Sequence, residues 1–156
     1  MNNRYIFRGK RKDNGEWVEG YLIQGNKTYI ATTEAINYMV VSTSYMASIE
    51  LVEVIPETVG QCTGLKDKNG KLIFEGDIIK INSRVASSET RETAETEIGF
   101  VEYDIDECEY RITHVNGTIP EYGKNYSLNL WRFKRDTNEA IGNIHDDNPE
   151  LLEVER

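Results

Sequence analysis

Four side chains in this 156-residue sequence carry the thiol or imidazole groups used in most metal and nucleophile chemistry: Cys62, Cys108, His114 and His145. A structural zinc site brings its ligands in close pairs, and the sequence holds neither Cys-x-x-Cys nor His-x-x-x-His. A cysteine nucleophile needs a partner base and surroundings that favour the thiolate. Cys62 stands between Gln61 and Thr63 in a strand-like run, the setting of a small core residue. Cys108 stands among Asp106, Glu107 and Glu109, a negative field that disfavours a thiolate. Gly-x-Ser-x-Gly is absent. We therefore expect no metal, no cofactor and no enzymatic nucleophile.

Carboxylates are abundant, with 27 Asp and Glu in the chain. At that density chance pairs form readily, so proximity alone does not mark general acid–base work. Glu75-Gly76-Asp77 has a simpler reading: Gly76 permits a bend, and Asp77 accepts bonds from nearby main-chain amides. Gly64 to Gly70 contains Lys66 and Lys68 but lacks the Gly-Lys-Ser/Thr order of a phosphate loop. Asn69-Gly70 marks a tight turn instead, because both residues tolerate positive φ.

The net charge of −9 is unevenly spread. Residues 1–30 hold six basic and three acidic side chains, and residues 81–110 hold two basic and nine acidic ones. A phosphate backbone would be repelled by the second segment, so nucleic acid is the less expected partner. Residues 83–97, with Glu89, Glu92, Glu95 and Glu97, contain no aromatic residue. Val85 is their one large aliphatic before the next strand, so they read as a mobile acidic loop. With Asp104 and Asp106 they form the candidate surface for a basic protein partner.

Many short apolar runs separated by glycine turns predict a mostly β chain. Residues 5–23 read as a hairpin around Asn14-Gly15, with Gly20 marking a bulge or a close approach of two backbones. Thr28–Ala31, Tyr38–Val41 and Ile49–Ile55 read as strands, and Glu34–Tyr38 as a single helical turn. Gln61–Lys66, Leu72–Phe74 and Ile78–Ile81 form the centre of the chain. Ile98–Tyr103, Tyr110–Val115, Tyr126–Phe133 and Ala140–Ile144 continue the strands. Asn148 as N-cap and Pro149 at the first helical position predict a short C-terminal helix. The expected division is an N-terminal β lobe over 1–57 and a small β-barrel domain over 58–156. No apolar run reaches the roughly 18 residues of a membrane span. The start, Met1-Asn2-Asn3-Arg4-Tyr5, lacks an apolar signal core, which together with two unpaired-looking cysteines predicts a cytoplasmic location.

Thr63-Gly64-Leu65-Lys66-Asp67-Lys68-Asn69-Gly70 followed by Ile73-Phe74-Glu75-Gly76-Asp77-Ile78-Ile79 resembles the central motif of the YopX family, found in phages and prophages of low-GC Gram-positive bacteria. Ile141-Gly142-Asn143-Ile144 with Asn148-Pro149-Glu150-Leu151-Leu152 is similar to the family's closing motif. Phe7-Arg8-Gly9-Lys10 and Asn14-Gly15-Glu16-Trp17-Val18 resemble its beginning. Cys62 stands where an aromatic residue is usual, and Phe74 where tyrosine is common; both read as core substitutions. The resemblance implies a small SH3-like barrel around the Gly-Asp-Ile strand, self-association and a phage origin. It supplies no catalytic residues. Gly64, Asp67, Asn69, Gly70, Gly76, Asp77, Gly142, Asn143 and Pro149 are then motif residues of the fold.

The expected function is a non-enzymatic module that associates with itself and engages a host or phage protein. A variant of this reading is an acidic mimic of DNA. The alternatives are a nucleic-acid accessory module using the basic segment 4–12 with exposed aromatics, and a carboxylate hydrolase, which would need a deep cleft with converging Asp or Glu.

Overall fold

The computed structural model describes residues 3–41, 44–85, 93–116, 125–127 and 138–146, with side chains over 3–32, 50–81, 98–113 and 138–146. Eleven strands are described: β1 Phe7–Lys10, β2 Trp17–Gln24, β3 Thr28–Val41, β4 Ser44–Glu53, β5 Gly60–Lys66, β6 Leu72–Phe74, β7 Asp77–Val85, β8 Thr93–Asp104, β9 Glu109–Asn116, β10 Asn125–Ser127 and β11 Asn138–Asn143. The helical content among the described residues is two 3-10 turns, Asn3–Tyr5 and Pro56–Thr58. The strands make two antiparallel sheets, of order β4-β3-β2-β1-β5-β6 and β10-β9-β8-β7-β11. The chain divides into two compact units, Met1–Cys62 and Thr63–Arg156.

In the first unit the β1–β2 hairpin turns at Asn14-Gly15, where Gly15 has φ 76°. Alternation sends Val18, Ile30, Val52 and Val54 to one face, where with Val59 they form the core. Gly20 lies in register with Thr32 of β3. A Cβ at Gly20 would stand 2.0 Å from the carbonyl oxygen of Ala31, so the two backbones approach as the isolated glycine predicts. At its far end the sheet curls back. Lys12 N donates to Glu53 O at 3.0 Å and Ile55 N to Lys10 O at 2.9 Å, around a bridge between Arg11 and Val54.

In the second unit Ile73, Ile79, Val101 and Ile112 form the core, with Leu65, Ile81, Tyr110 and Ala140 packed against them. Cys62 of the first unit and Phe74 of the second, the two departures from the family motif, are both fully buried. The β5–β6 connection turns at Asn69-Gly70, with Gly70 at φ 82°.

Three expectations need correction. Glu34–Tyr38 is not a helical turn: it lies inside β3, which crosses from Thr28 to Val41 with an irregularity between Ala31 and Ile36. Main-chain pairing to β4 overrides the weak local helical pattern there. The expected loop 83–97 is shorter. Residues 83–85 and 93–97 extend β7 and β8, paired from Ile81↔Glu97 to Val85↔Thr93. A ladder is held by backbone bonds, which a polar composition does not forbid. Residues 86–92 lie outside the described residues. The expected closed SH3-like barrel is absent among the described residues. The five-stranded sheet is open, with β10 and β11 at opposite edges. Short strands and glycine turns are common to open and closed sheets, so the pattern did not distinguish them. The predicted C-terminal helix falls on residues outside the described ones.

Candidate protein-binding surface

The motif residues converge on loops and on β11. Asp67 is buried, and its Oδ1 accepts the amides of Asn69 and Lys71, both at 2.9 Å. Its Oδ2 accepts the amide of Ala140 at 3.3 Å. Burial pushes the Asp67 carboxyl up, but the amides of Lys71, Ala140 and Asn69 outweigh it and hold the group below its ordinary value. Lys68 N donates to Asn138 O at 2.9 Å, and Lys68 Nζ pairs with Glu139 at 2.6 Å. Asn69 Nδ2 adds a long bond to Glu139 at 3.4 Å. Gly64 has φ 82° in β5.

Gly76, Asp77 and Asn143 form a second knot. Asp77 Oδ2 accepts the amide of Phe74 at 2.9 Å, and Asn143 lies opposite Asp77 in the β7–β11 ladder. Gly76 has φ 82°, and a Cβ there would stand 3.1 Å from Asn143 Nδ2. Gly142 pairs with Ile78 beside a bulge. Asn143 N donates to Asp146 Oδ2 at 2.9 Å and His145 N to Asn143 Oδ1 at 3.0 Å. These carboxylates are held by amides inside the fold, which is the geometry of a structural joint. Pro149 lies outside the described residues. Among the described residues no group of His, Cys, Asp or Glu gathers as a metal site.

The acidic candidates fall in two places. Glu89 and Glu92 lie outside the described residues, and Glu95 and Glu97 are in β8 opposite Ser83 and Ile81. Asp104 and Asp106 stand at the tip of the β8–β9 hairpin. Asp104 Oδ1 accepts the amides of Asp106 at 2.9 Å and Glu107 at 3.0 Å, while Oδ2 pairs with Arg111 at 2.8 Å. Asp104 therefore shapes the turn, and Asp106 and Glu107 carry the outward charge. Ile105, between Asp104 and Asp106, is 73% exposed. Tyr103 and Tyr110 pack edge to face at 5.2 Å beneath the turn. Cys108 is exposed at φ 54° in this turn.

Sequence patterning did not single out the outward face of the first unit. Tyr21 of β2, Ala31 of β3 and Leu51 of β4 are in register across three strands and so share a face. Ile23, two residues after Tyr21, joins them. Tyr21 and Leu51 are each 49% exposed and Ile23 43%, around a buried Ala31. The alternation of Tyr21-Leu22-Ile23 is hidden because all three residues are apolar. A signal was present in Ile30-Ala31 and Glu50-Leu51-Val52, where apolar residues fill both faces.

The basic residues of the first hairpin face partners within the chain. Arg11 makes a two-bonded pair with Asp13, at 2.9 and 2.7 Å. Lys12 and Lys27 meet Glu53 at 2.6 and 2.7 Å and hold its carboxyl below the ordinary value. Arg8 and Lys10 lie over the Trp17 ring at 4.6 and 5.4 Å from its centre.

A family profile described as "YopX protein" matches residues 6–153. The chain belongs to the YopX family. A comparison with curated proteins finds no match. Among solved structures, the crystal structure of protein EF1440 from Enterococcus faecalis is similar in fold, with a TM-score of 0.54 and 25% identity. The match covers 94% of this chain and 96% of that one. No helix among the described residues is long and apolar enough to cross a membrane.

Proposed function

We propose that this YopX-family chain is a non-enzymatic binding and assembly module of phage origin, acting in the host cytoplasm. It associates with itself and engages a basic host or phage protein. The observation that carries this reading is the outward face of the first sheet, where Tyr21, Ile23 and Leu51 remain about half exposed around Ala31. An antiparallel sheet with one solvated face ordinarily places polar residues there, and a cluster of large apolar ones fits a protein contact. Tyr21 is the aromatic member of the cluster, a residue type enriched among the side chains that dominate interface energetics.

The acidic β8–β9 tip supports the second half of the proposal. Asp106 and Glu107 directly follow the exposed Ile105 in the turn, so a basic partner would meet an apolar side chain and two carboxylates side by side. The test is capture from infected-cell lysate by the intact chain and by an Asp106→Lys, Glu107→Lys variant. A basic protein retained by the first and lost from the second is the expected result. Identical partner profiles would reject the tip as the binding element.

A further inference from the structure

The geometry points to the outer edge of β4 as the contact between copies. We propose that two chains join by antiparallel pairing of residues 44–52 with the same residues of a second copy, about a two-fold axis through Ser48. This inference rests on the reading that the chain associates with itself.

Val54 N donates to Thr28 O at 3.0 Å, and Val52 pairs with Ile30, so these residues bond toward β3. Alternation turns the N–H and C=O of Leu51 and Glu53 to the opposite edge. That edge is occupied at one end. Lys12 N donates to Glu53 O, and Ile55 N to Lys10 O. The chain then turns away, with Gly15 N donating to Arg11 O at 3.0 Å, and the short ladder stops. From Val52 back to Ser44, β4 pairs among the described residues with β3 alone.

This open stretch fits a second copy of itself. With Ser48 on the axis, Ser44 of one copy faces Val52 of the other at both ends. The incoming strand thus begins where β4 begins and stops where Lys12 already sits, so neither end overlaps. Glu50, the one charged residue from Ser44 to Val52, faces Met46, and no like charges oppose. The stretch holds no proline and no lysine, the residues that commonly block edge pairing. A cavity of about 320 Å³, lined by Arg11–Asp13 and Glu50–Glu53, lies where the ladder stops and would receive the end of the incoming strand. The joined sheets would run continuously through both copies, with Leu51 of each at the seam.

The experiment uses the full chain with Cys108→Ser, which removes the exposed thiol and leaves the buried Cys62. Ser48→Cys places two thiols across the axis, within about 4.5–5.5 Å between Cα atoms, and mild oxidation is expected to give a covalent dimer. Glu50→Cys places them about 13 Å apart and is expected to give none. Ser48→Lys sets two like charges face to face and is expected to weaken association at least tenfold, with an unchanged far-ultraviolet spectrum. A wild-type oligomer that neither cross-links through residue 48 nor weakens with Ser48→Lys overturns the β4 contact and leaves self-association standing. Cross-linking through residue 50 in place of 48 also overturns it. A β4 edge protected from amide exchange only when another protein is added would assign the edge to that protein and overturn it too. A wild-type chain that is monomeric at every concentration overturns both readings.

Discussion

Asn143 and Asp77, 66 positions apart, meet side chain to side chain: Asn143 Nδ2 donates to Asp77 Oδ1 at 3.2 Å. The bond ties the closing motif of the chain to its central motif. Asp77 holds the Phe74 amide with its other oxygen, so one buried carboxylate joins the bend at Gly76 to β11. Asp77→Ala is expected to cost about 2–3 kcal/mol, because a charged acceptor is lost from buried donors. Urea unfolding of both single variants and of the Asp77→Ala, Asn143→Ala pair should show coupling of at least ~0.5 kcal/mol between the two residues. Additive effects would mean that the side chains act independently.

Asp67 predicts a pH dependence. Its carboxyl is held below the ordinary aspartate value, so the unfolded chain binds its proton more readily than the folded one. Its stabilising contribution is therefore fully present above the ordinary value of about 3.9 and is lost as pH falls through the lower folded value. Thermal melts of wild type and Asp67→Asn between pH 2 and 6 should differ by a constant amount at the upper end. The difference should shrink below about pH 4. A difference independent of pH would show that the amide contacts do not favour the ionised form.

Gly20→Ala is expected to destabilise the first unit by ~3 kcal/mol or more, because the added carbon meets the Ala31 carbonyl and backbone cannot swing aside. Loss of amide protection in residues 17–32, measured by hydrogen exchange, would localise the damage. A fully protected β2–β3 ladder in this variant would contradict the close approach.

These sites differ in how far the sequence revealed them. Asn69-Gly70 and Gly20 were legible because a turn and a backbone contact each demand a residue type. The nearby amide that Asp77 takes from Phe74 was legible too, but the distant partners of Asp67 and Asp77 were not, since Ala140 and Asn143 reach them only through the register of β11. The open sheet and the long β3 were hidden for a related reason: strand pairing is set by distant backbone, not by local periodicity. The apolar outward face was obscured because Tyr21-Leu22-Ile23 has no polar alternation to betray its two sides. The charge of the hairpin tip could be counted in advance, but the capture of Asp104 by Arg111 could not.

The exposed tip yields a kinetic prediction. Ile105→Ser should leave the melting temperature unchanged, since the side chain is 73% exposed. It should speed dissociation of a bound basic partner. Asp106→Lys with Glu107→Lys should instead slow association and reduce its dependence on salt, because charge steering is screened over about 8–10 Å. Surface plasmon resonance at two salt concentrations separates the two effects. Equal rates for all variants would place the interface elsewhere.

Self-association is the claim on which the proposed function depends most. Light scattering on the gel-filtered intact chain, diluted through the micromolar range, measures it directly. A self-associating chain gives a mass at least twice the 17.9 kDa of one chain, falling toward that value on dilution. A mass of 17.9 kDa at every concentration would contradict it.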